Sequence, residues 1–437
     1  MLPTQIPDFF KNRRNNLMTK YPTSTFILPA AKEAVRNLDV IHSFRQESNF
    51  FYLCGLEEPD AFLVLAPSSQ SSHKTILFVL PKDLEKEMWI GERYGVENAK
   101  KVFDADEVYP ISEFDQKLPE FLKNSEQVFY RVGLNENLDR KIFAVLEKYQ
   151  KNLGRSGKAL LPILDPTLPI GEMRIFKNSE EISFMKRACE ISTLAHKTAM
   201  KEIKPGMNEY EIEALLNYIF KKHGCQRLAY PSIVAGGKNA ACLHYQMHNE
   251  PLKEGDLVLI DAAGEFNYYP SDITRTFPVG KHYSEKQSTM YDLVLKSQLA
   301  GIAMAKPKTK LADIHKHVCE ILIDGFLSLG LLSGDPAEIL KSGSYKKYYP
   351  HNTSHWLGMD VHDVGLYTLN GESRILEPGM TFTIEPGFYI QPNDTEALKL
   401  FPCQGIRIED DILITQQGCE ILSAEAPKTR EDIEKLR

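Results

Sequence analysis

Four acidic residues in strand contexts, with one histidine, are the residues of this chain that could carry chemistry. Asp261 closes the apolar run Leu257–Ile260, and an acid at the end of a buried strand is costly unless it is paired or binds a cation. Asp272 follows eleven residues later, at the head of the run Ile273–Phe277. A connection of that length can return the chain antiparallel and set the two carboxylates side by side, where like charges need a cation between them. Glu385 ends another apolar run before Pro386-Gly387. Glu409 alternates with Ile406 and Ile408, which puts it on one strand face with Arg407. His355, beside Trp356, adds an imidazole. Any of these acids alone reads as a turn or cap residue. Together, four carboxylates and one imidazole suit two divalent ions of the harder kind: Mn first, then Co, Fe or Zn. Four carboxylates balance two dications, leaving a bridging water as the nucleophile.

Other reactive patterns are absent or incomplete. There is no G-x-S-x-G and no H-E-x-x-H. Gly154–Lys158 resembles a phosphate loop but lacks the upstream glycine and the following Ser or Thr, so it reads as linker. His351 and His355 have zincin-like spacing, but the catalytic Glu is missing and Pro350 precedes them.

The elements that must position the acids fall into two parts. In the first, Ala61–Ala66 and Thr75–Leu80 read as strands, with helical stretches around 83–100 and 113–124. The Gly- and Pro-rich segment Asn152–Ile170 reads as a linker. In the second, Asn178 with Glu181 and Asn208 with Glu211 mark two helix starts, ending at Pro205-Gly206 and His223-Gly224. Ser284 with Gln287 marks a third, stopping at Pro307, and a fourth helix covers about Leu311 to Gly330. Strands are expected at Leu257–Ala262, Ile273–Phe277, 381–390 and 406–414. One pattern recurs: Leu252-x-x-Gly255 leads in six residues to Asp261, and Leu376-x-x-Gly379 leads in six to Glu385. Common residues can repeat by chance. Two helix–helix–strand blocks in one domain favour duplication, with a carboxylate from each half meeting in the middle.

Composition sets the outer bounds. At about 100–200 residues per domain, 437 residues predict two or three domains. Apolar residues at 43% and charged residues at 25% fit a soluble globular protein. A net charge of −7 argues against nucleic acid as a partner, and no apolar run reaches the ~20 residues of a membrane span. The first 20 residues carry no secretory leader. Arg13-Arg14 is not followed by the apolar segment of a twin-arginine signal, and Ile6, Phe9, Phe10 and Leu17 read as one face of an opening helix. Seven scattered cysteines without a C-x-x-C pair favour free thiols in a reducing compartment, so a cytoplasmic location is expected.

Asp261, Asp272–Phe277, His355–Asp363, Glu377–Met380, Thr383–Gly387 and Gly405–Asp410 resemble the pita-bread metallopeptidases, and among them the bacterial-type Xaa-Pro aminopeptidases (aminopeptidase P). Phe44-Arg45-Gln46, Tyr52, Gly55 and Trp89-Ile90-Gly91 extend the resemblance over nearly the whole chain. It implies an α+β/α/β architecture. An N-terminal mixed α/β domain over 1–165 would serve oligomerisation and substrate access, and a C-terminal pseudo-two-fold pita-bread catalytic domain would cover 166–437. It implies five ligands for two ions. Asp272 and Glu409 bridge, Asp261 completes one site, and His355 with Glu385 completes the other; Glu385 also serves as acid/base. His362 and His244 would hydrogen-bond the peptide near the scissile bond. His351, Tyr230 and Arg407 would wall a proline pocket. Asp39 and Trp89, and less directly Arg155, match positions that reach a neighbouring subunit's site, which implies a homo-oligomer, a tetramer or dimer of dimers. The substrate implied is a peptide with Xaa-Pro at its N-terminus. A proline dipeptidase shares the fold and ligands but needs a cation for the free carboxylate and a wall against longer chains. A creatinase-like hydrolase or an inactive binding domain would lack the ligands retained here.

Overall fold

The computed structural model describes residues 7–68, 73–154 and 160–437; Ile6, Arg155 and most of Gly154–Lys158 lie outside them. The chain divides into two compact units, Met1–Ile170 and Gly171–Arg437. Among the described residues, no helix is long and apolar enough to cross a membrane.

The first unit is built on a six-stranded sheet in the order Glu107–Pro110, His73–Val79, Phe62–Pro67, Ser24–Pro29, Gln127–Phe129, Ile163–Leu164. The middle three strands pair antiparallel and the outer ones parallel. Ile27, Val64, Ile76 and Phe78 pack on Phe114, Leu118 and Phe121 of the helix Phe114–Phe121 and on Ile142 and Val145 of the helix Glu136–Leu153. The stretch expected as helical over 83–100 is two short helices, Leu84–Ile90 and Gly95–Val102. Gly91 and Gly95, at φ 89° and 63°, take the left-handed backbone that ends one helix and starts the next. Arg13 and Arg14 are buried in the opening helix Phe9–Lys20. Arg13 donates to Tyr52 O at 3.1 Å, and Arg14 to Leu53 O at 2.9 Å and Phe103 O at 3.2 Å. They supply charge and donors to the C-terminal ends of the helices Ser48–Cys54 and Gly95–Val102.

The second unit has the expected duplicated organisation. The helix pair Ser179–Glu202 and Glu209–Lys222 precedes the antiparallel strands Ile233–Gly236, Leu257–Asp261 and Thr274–Pro278. A second pair, Glu285–Met304 and Leu311–Ser328, precedes Thr381–Ile384, Gly387–Ile390, Gln404–Arg407 and Asp410–Ile414. Asn178 with Glu181 and Ser284 with Gln287 form reciprocal capping boxes. At Asn208 only half of that device is made, Glu211 accepting the Asn208 N–H at 2.7 Å. The recurring leucines play matching parts. Leu252 accepts from Gly206 N–H and donates to Met207 O, both at 2.8 Å. Leu376 accepts from Lys308 N–H at 2.9 Å and donates to Thr309 O at 2.8 Å. Each leucine thus locks the turn between the two helices of its own half, and Gly255 and Gly379 follow with positive φ (87° and 91°).

The strand runs expected at 381–390 and 406–414 are each interrupted, at Glu385-Pro386 and at Ile408-Glu409. Thr381–Ile384 pairs with Asp410–Ile414, whereas Gly387–Ile390 pairs with Gln404–Arg407. The chain therefore changes sheet partner at both places. Pro386, with no N–H to give, sits at one crossing, and Ile408 N–H donates to its carbonyl at 3.3 Å. Each crossing leaves a carboxylate where no ladder neighbour covers it.

Candidate functional site

One cleft of about 860 Å³ in the second unit is lined by all ten residues expected there: Tyr230, His244, Asp261, Asp272, His351, His355, His362, Glu385, Arg407 and Glu409. Asp39 and Trp89 belong to the first unit and are not among its lining residues. Asp39 stands in the exposed turn between Val35–Asn37 and Val40–Ile41, and Trp89 on the helix Leu84–Ile90 is 88% exposed.

The antiparallel register that puts Asp261 opposite Thr274 brings Asp272 alongside it. The Tyr230 hydroxyl lies 2.5 Å from Asp261 Oδ1 and 2.6 Å from Asp272 Oδ1. One hydroxyl proton serves only one of these oxygens, so the pair needs another proton or a cation. Ile406 and Ile408 are in the core, while Arg407 and Glu409 reach the cleft. Glu409 Oε2 accepts from Thr274 Oγ1 at 2.7 Å; Glu409 Oε1 is buried with no hydrogen-bond partner. His355 Nδ1 lies 3.1 Å from Trp356 O, to which its N–H donates. That fixes the ring with Nε2 at 3.3 Å from Asp272 Oδ2, 3.5 Å from Glu385 Oε1 and 4.0 Å from Glu409 Oε1. The ligand atoms of Asp272, His355 and Glu409 all lie within 4.8 Å of one another.

The electrostatics are those of crowded acids short of positive charge. Burial pushes the Glu385 carboxyl up to about 7, against the pull of His355 and Arg407. Burial, then Asp272 and Glu385, drive Glu409 well above the carboxylate range. Burial alone would lower His355, but Asp272 and Glu385 carry it up to about 9. Arg407 is buried, which opposes its charge, yet Tyr389, Asp261 and Glu409 hold it protonated; it donates to Asp261 Oδ2 at 2.6 Å. One guanidinium does not neutralise four carboxylates. An orphaned buried Glu409 oxygen, an oxygen-rich donor set and one oriented imidazole fit divalent metal ions.

Around this centre, Arg407 Nη1 donates to the Tyr389 hydroxyl at 3.0 Å, which lies 2.9 Å from His351 Nε2; His351 Nδ1 lies 2.9 Å from Asn352 O. Burial lowers His351 to about 3, so it is a neutral ring. Its edge meets Tyr349 and Tyr389, with ring centroids at 4.9 and 5.5 Å. His362 packs against His355, centroids 4.4 Å apart, and burial lowers its pKa.

Several contributors carry no local signature in the sequence. Thr353 lies in the His351–His355 segment, which is not helical. Its carbonyl accepts the Glu385 N–H at 2.9 Å, and its hydroxyl lies 2.8 Å from both His315 Nδ1 and the Tyr349 hydroxyl. Asp411 accepts the Asp272 N–H at 2.9 Å and the Cys189 thiol at 3.1 Å. Tyr389 could have been found from its alternation with the core residues Phe388 and Ile390.

Residues 183–416 match the family described as metallopeptidase family M24, and residues 10–130 match the one described as aminopeptidase P, N-terminal domain. Over 428 residues the chain is 39% identical to the Xaa-Pro aminopeptidase of Escherichia coli (strain K12), covering 98% of this chain and 97% of that protein. The solved structure of Pseudomonas aeruginosa aminopeptidase PepP superposes with a TM-score of 0.94 at 40% identity, covering 99% of this chain and 98% of that one. A zinc-substituted aminopeptidase P of Escherichia coli in complex with product does so with a TM-score of 0.94 at 38% identity, over 99% and 98% of the chains.

Proposed function

The chain belongs to metallopeptidase family M24, and from that membership we propose that it is a metal-dependent Xaa-Pro aminopeptidase. It releases the first residue of peptides with proline in second place. The observation that carries this reading is the meeting of Asp261, Asp272, His355, Glu385 and Glu409 in one cleft that the neutral His351 ring also lines.

Those five residues would hold two divalent ions, with Asp272, His355 and Glu409 grouped most tightly. Manganese is the first choice for so oxygen-rich a set, with Co, Fe or Zn as alternatives. When bound, the ions supply Lewis acidity that polarises the scissile carbonyl and lowers the pKa of water. Glu385 carries the proton between attacking water and leaving amine; its backbone is pinned by Thr353 O. His362 and His244, both lining the cleft, orient the peptide and stabilise charge on its carbonyl oxygen. Tyr230 holds Asp261 and Asp272 in place.

The proline preference follows from the His351 ring. A bond to proline is a tertiary amide with no N–H and a rigid ring. His351 spends both ring nitrogens on Tyr389 and Asn352, so it offers a flat face and asks for no donor. A dipeptidase would need a cation for the substrate carboxylate. Among the described lining residues, Arg407 is the sole lysine or arginine, and Asp261 and Tyr389 already engage it. This favours longer peptides over dipeptides.

A homo-oligomer, a tetramer or dimer of dimers, is supported by the first unit's uncovered apolar residues: Leu38 is 94% and Met88 85% exposed, near Asp39 and Trp89 in sequence. Asp39 and Trp89 would then act at a neighbouring copy's site. Seven free cysteines support a reducing, cytoplasmic setting. The test is cleavage of a Xaa-Pro dipeptide and of the same pair extended to a longer peptide, by metal-depleted and Mn-reconstituted protein. Mn-dependent release of the first residue from the longer peptide is expected. Cleavage of the dipeptide alone would make it a prolidase, and no cleavage of either would leave a binding domain.

A further inference from the structure

Among the described residues the His244 side chain has no hydrogen-bond partner, and it is exposed on a loop between the strands Ile233–Gly236 and Leu257–Asp261. Leu243, His244 and Gln246 of this loop all line the cleft. Such a side chain is aimed by its backbone alone, so whatever holds the loop sets its position.

Much of the loop is gathered by one buried carboxylate, beside single ties from Gln391 Nε2 to Ala241 O at 2.8 Å and from Val234 N–H to His248 Nε2 at 3.3 Å. Glu209, at the start of the helix Glu209–Lys222, is fully buried. Its Oε1 accepts from Gly236 N–H at 2.8 Å and from Asn239 Nδ2 at 2.9 Å. Its Oε2 accepts from the Tyr245 hydroxyl at 2.9 Å and from Glu250 N–H at 3.2 Å. Asn239 Nδ2 also reaches the Tyr245 hydroxyl at 3.0 Å. Four donors spread from 236 to 250 thus converge on one side chain, and one of them belongs to the residue next to His244. A neighbouring tie runs from His248 Nδ1 to Glu213 on the same helix, at 3.0 Å.

We infer that Glu209 is a positioning residue for the reaction, gripping the 236–250 loop so that His244 and the adjacent cleft wall meet the peptide. It touches neither the acidic centre nor the cleft itself. The inference rests on the substrate role proposed above for His244. A charged acceptor with four donors is a strong, directional anchor, and displacing a reacting group by about 1 Å costs roughly a hundredfold in rate.

The test is a double-mutant cycle of Glu209→Gln with His244→Ala, read as kcat/KM on a Xaa-Pro tetrapeptide, with metal content measured on each protein. Hydrogen exchange of the 236–250 amides is followed on the metal-depleted forms. Gln keeps an acceptor for two of the donors and turns an N–H toward the others. The expected result is a fall of roughly tenfold to a hundredfold for Glu209→Gln, with metal content unchanged and faster exchange confined to the loop. In the His244→Ala background the same change should cost no more than about twofold. A full second loss in that background, loss of metal, or parent-like turnover of Glu209→Gln would overturn the inference. Should His244→Ala itself turn over like the parent, the role of His244 fails, and the exchange data still report on the anchoring. If Glu209→Gln does not fold, Tyr245→Phe removes the hydroxyl that donates to Glu209 and accepts from Asn239 and carries the same cycle, and its effect being additive with His244→Ala would overturn the inference equally.

Discussion

Replacing Asp272 with Asn alters charge while nearly keeping shape, so it separates two consequences of the acidic centre. The ligand atoms of Asp272, His355 and Glu409 lie within 4.8 Å of one another. At that spacing two ionised carboxylates would repel by about 3–4 kcal/mol for an effective dielectric near 20, an upper bound without metal because that repulsion, with burial, pushes Glu409 toward its protonated form. The variant relieves that repulsion, and the Tyr230 hydroxyl still finds an acceptor where it now lies 2.6 Å from Asp272 Oδ1. It also removes the attraction of His355 Nε2, 3.3 Å from Asp272 Oδ2, a change of similar size and opposite sign. The metal-depleted variant should therefore melt within about 4 °C of the metal-depleted parent. Metal reverses the comparison. An ion present at about a thousand times its Kd stabilises the native state by about 4 kcal/mol, or roughly 8–16 °C at 2–4 °C per kcal/mol. The parent should show this rise on adding Mn, and Asp272→Asn should show none and no turnover. The assay is calorimetry with and without Mn, beside metal content by mass spectrometry. A variant that keeps the parent's metal content and Mn-dependent shift would refute the assignment of Asp272. A metal-depleted variant that melts far below its parent would refute the electrostatic account.

Two further perturbations address the frame. Asp363 pairs with Arg174 at 2.5 Å and Lys177 at 3.4 Å, all with side chains at most 2% exposed. Asp363→Ala leaves the buried Lys177 without its carboxylate partner and Arg174 with Asp360 at 2.8 Å, and should cost about 3 kcal/mol in urea unfolding, loosening the segment that carries His362; a loss below about 1 kcal/mol would show that the pairs contribute little. His196 is fully buried, donates to Ala262 O at 2.9 Å and is lowered by burial to about 4. Between an unfolded value near 6.5 and the folded value near 4 the unfolded chain binds the extra proton, so stability rises with pH across that window, by about 3 kcal/mol in all. His196→Gln should flatten this part of the stability–pH curve, and an unchanged slope over pH 4–6.5 would assign the acid sensitivity elsewhere.

What could be read from the sequence follows the range of the interactions concerned. Helix starts at Asn178 and Ser284 are set by partners three residues away and were legible as written. The strands that carry the acids were legible because four carboxylates and a histidine in strand contexts, taken together, have few explanations. The breaks at Pro386 and Glu409 were not, since what interrupts those strands is a change of partner sheet. Asn208 marks its helix start as read, Glu209–Lys222 following it directly, with Glu211 accepting its N–H. Glu209 stands in a helix first turn, where acids are common, and its four donors lie up to 41 residues away in the chain. Asp411 grips Asp272 across 139 residues. Such pairings leave no periodicity and no local spacing, so only the fold reveals them.

The acids stand at the seam between the duplicated halves, and the seam is stitched by hydrogen bonds that cross it. Glu409 N–H donates to Thr274 O at 3.1 Å. The Thr274 hydroxyl donates to Glu409 Oε2 at 2.7 Å and accepts from Arg407 Nε at 3.1 Å. Beneath them Arg275, fully buried, donates to Glu409 O at 2.5 Å and Asp410 Oδ1 at 2.7 Å. Asp261 and Asp272 come from one half, and His355, Glu385 and Glu409 from the other. An ion taken up here must therefore hold the two halves together, and its binding free energy becomes folding free energy of the unit. Without it, the same seam concentrates acids that burial and mutual repulsion push toward the protonated form. A strand that simply continued through Glu385 or Glu409 would cover the carboxylate with a ladder neighbour. The interruption that costs local pairing is what leaves each acid free to face the other half.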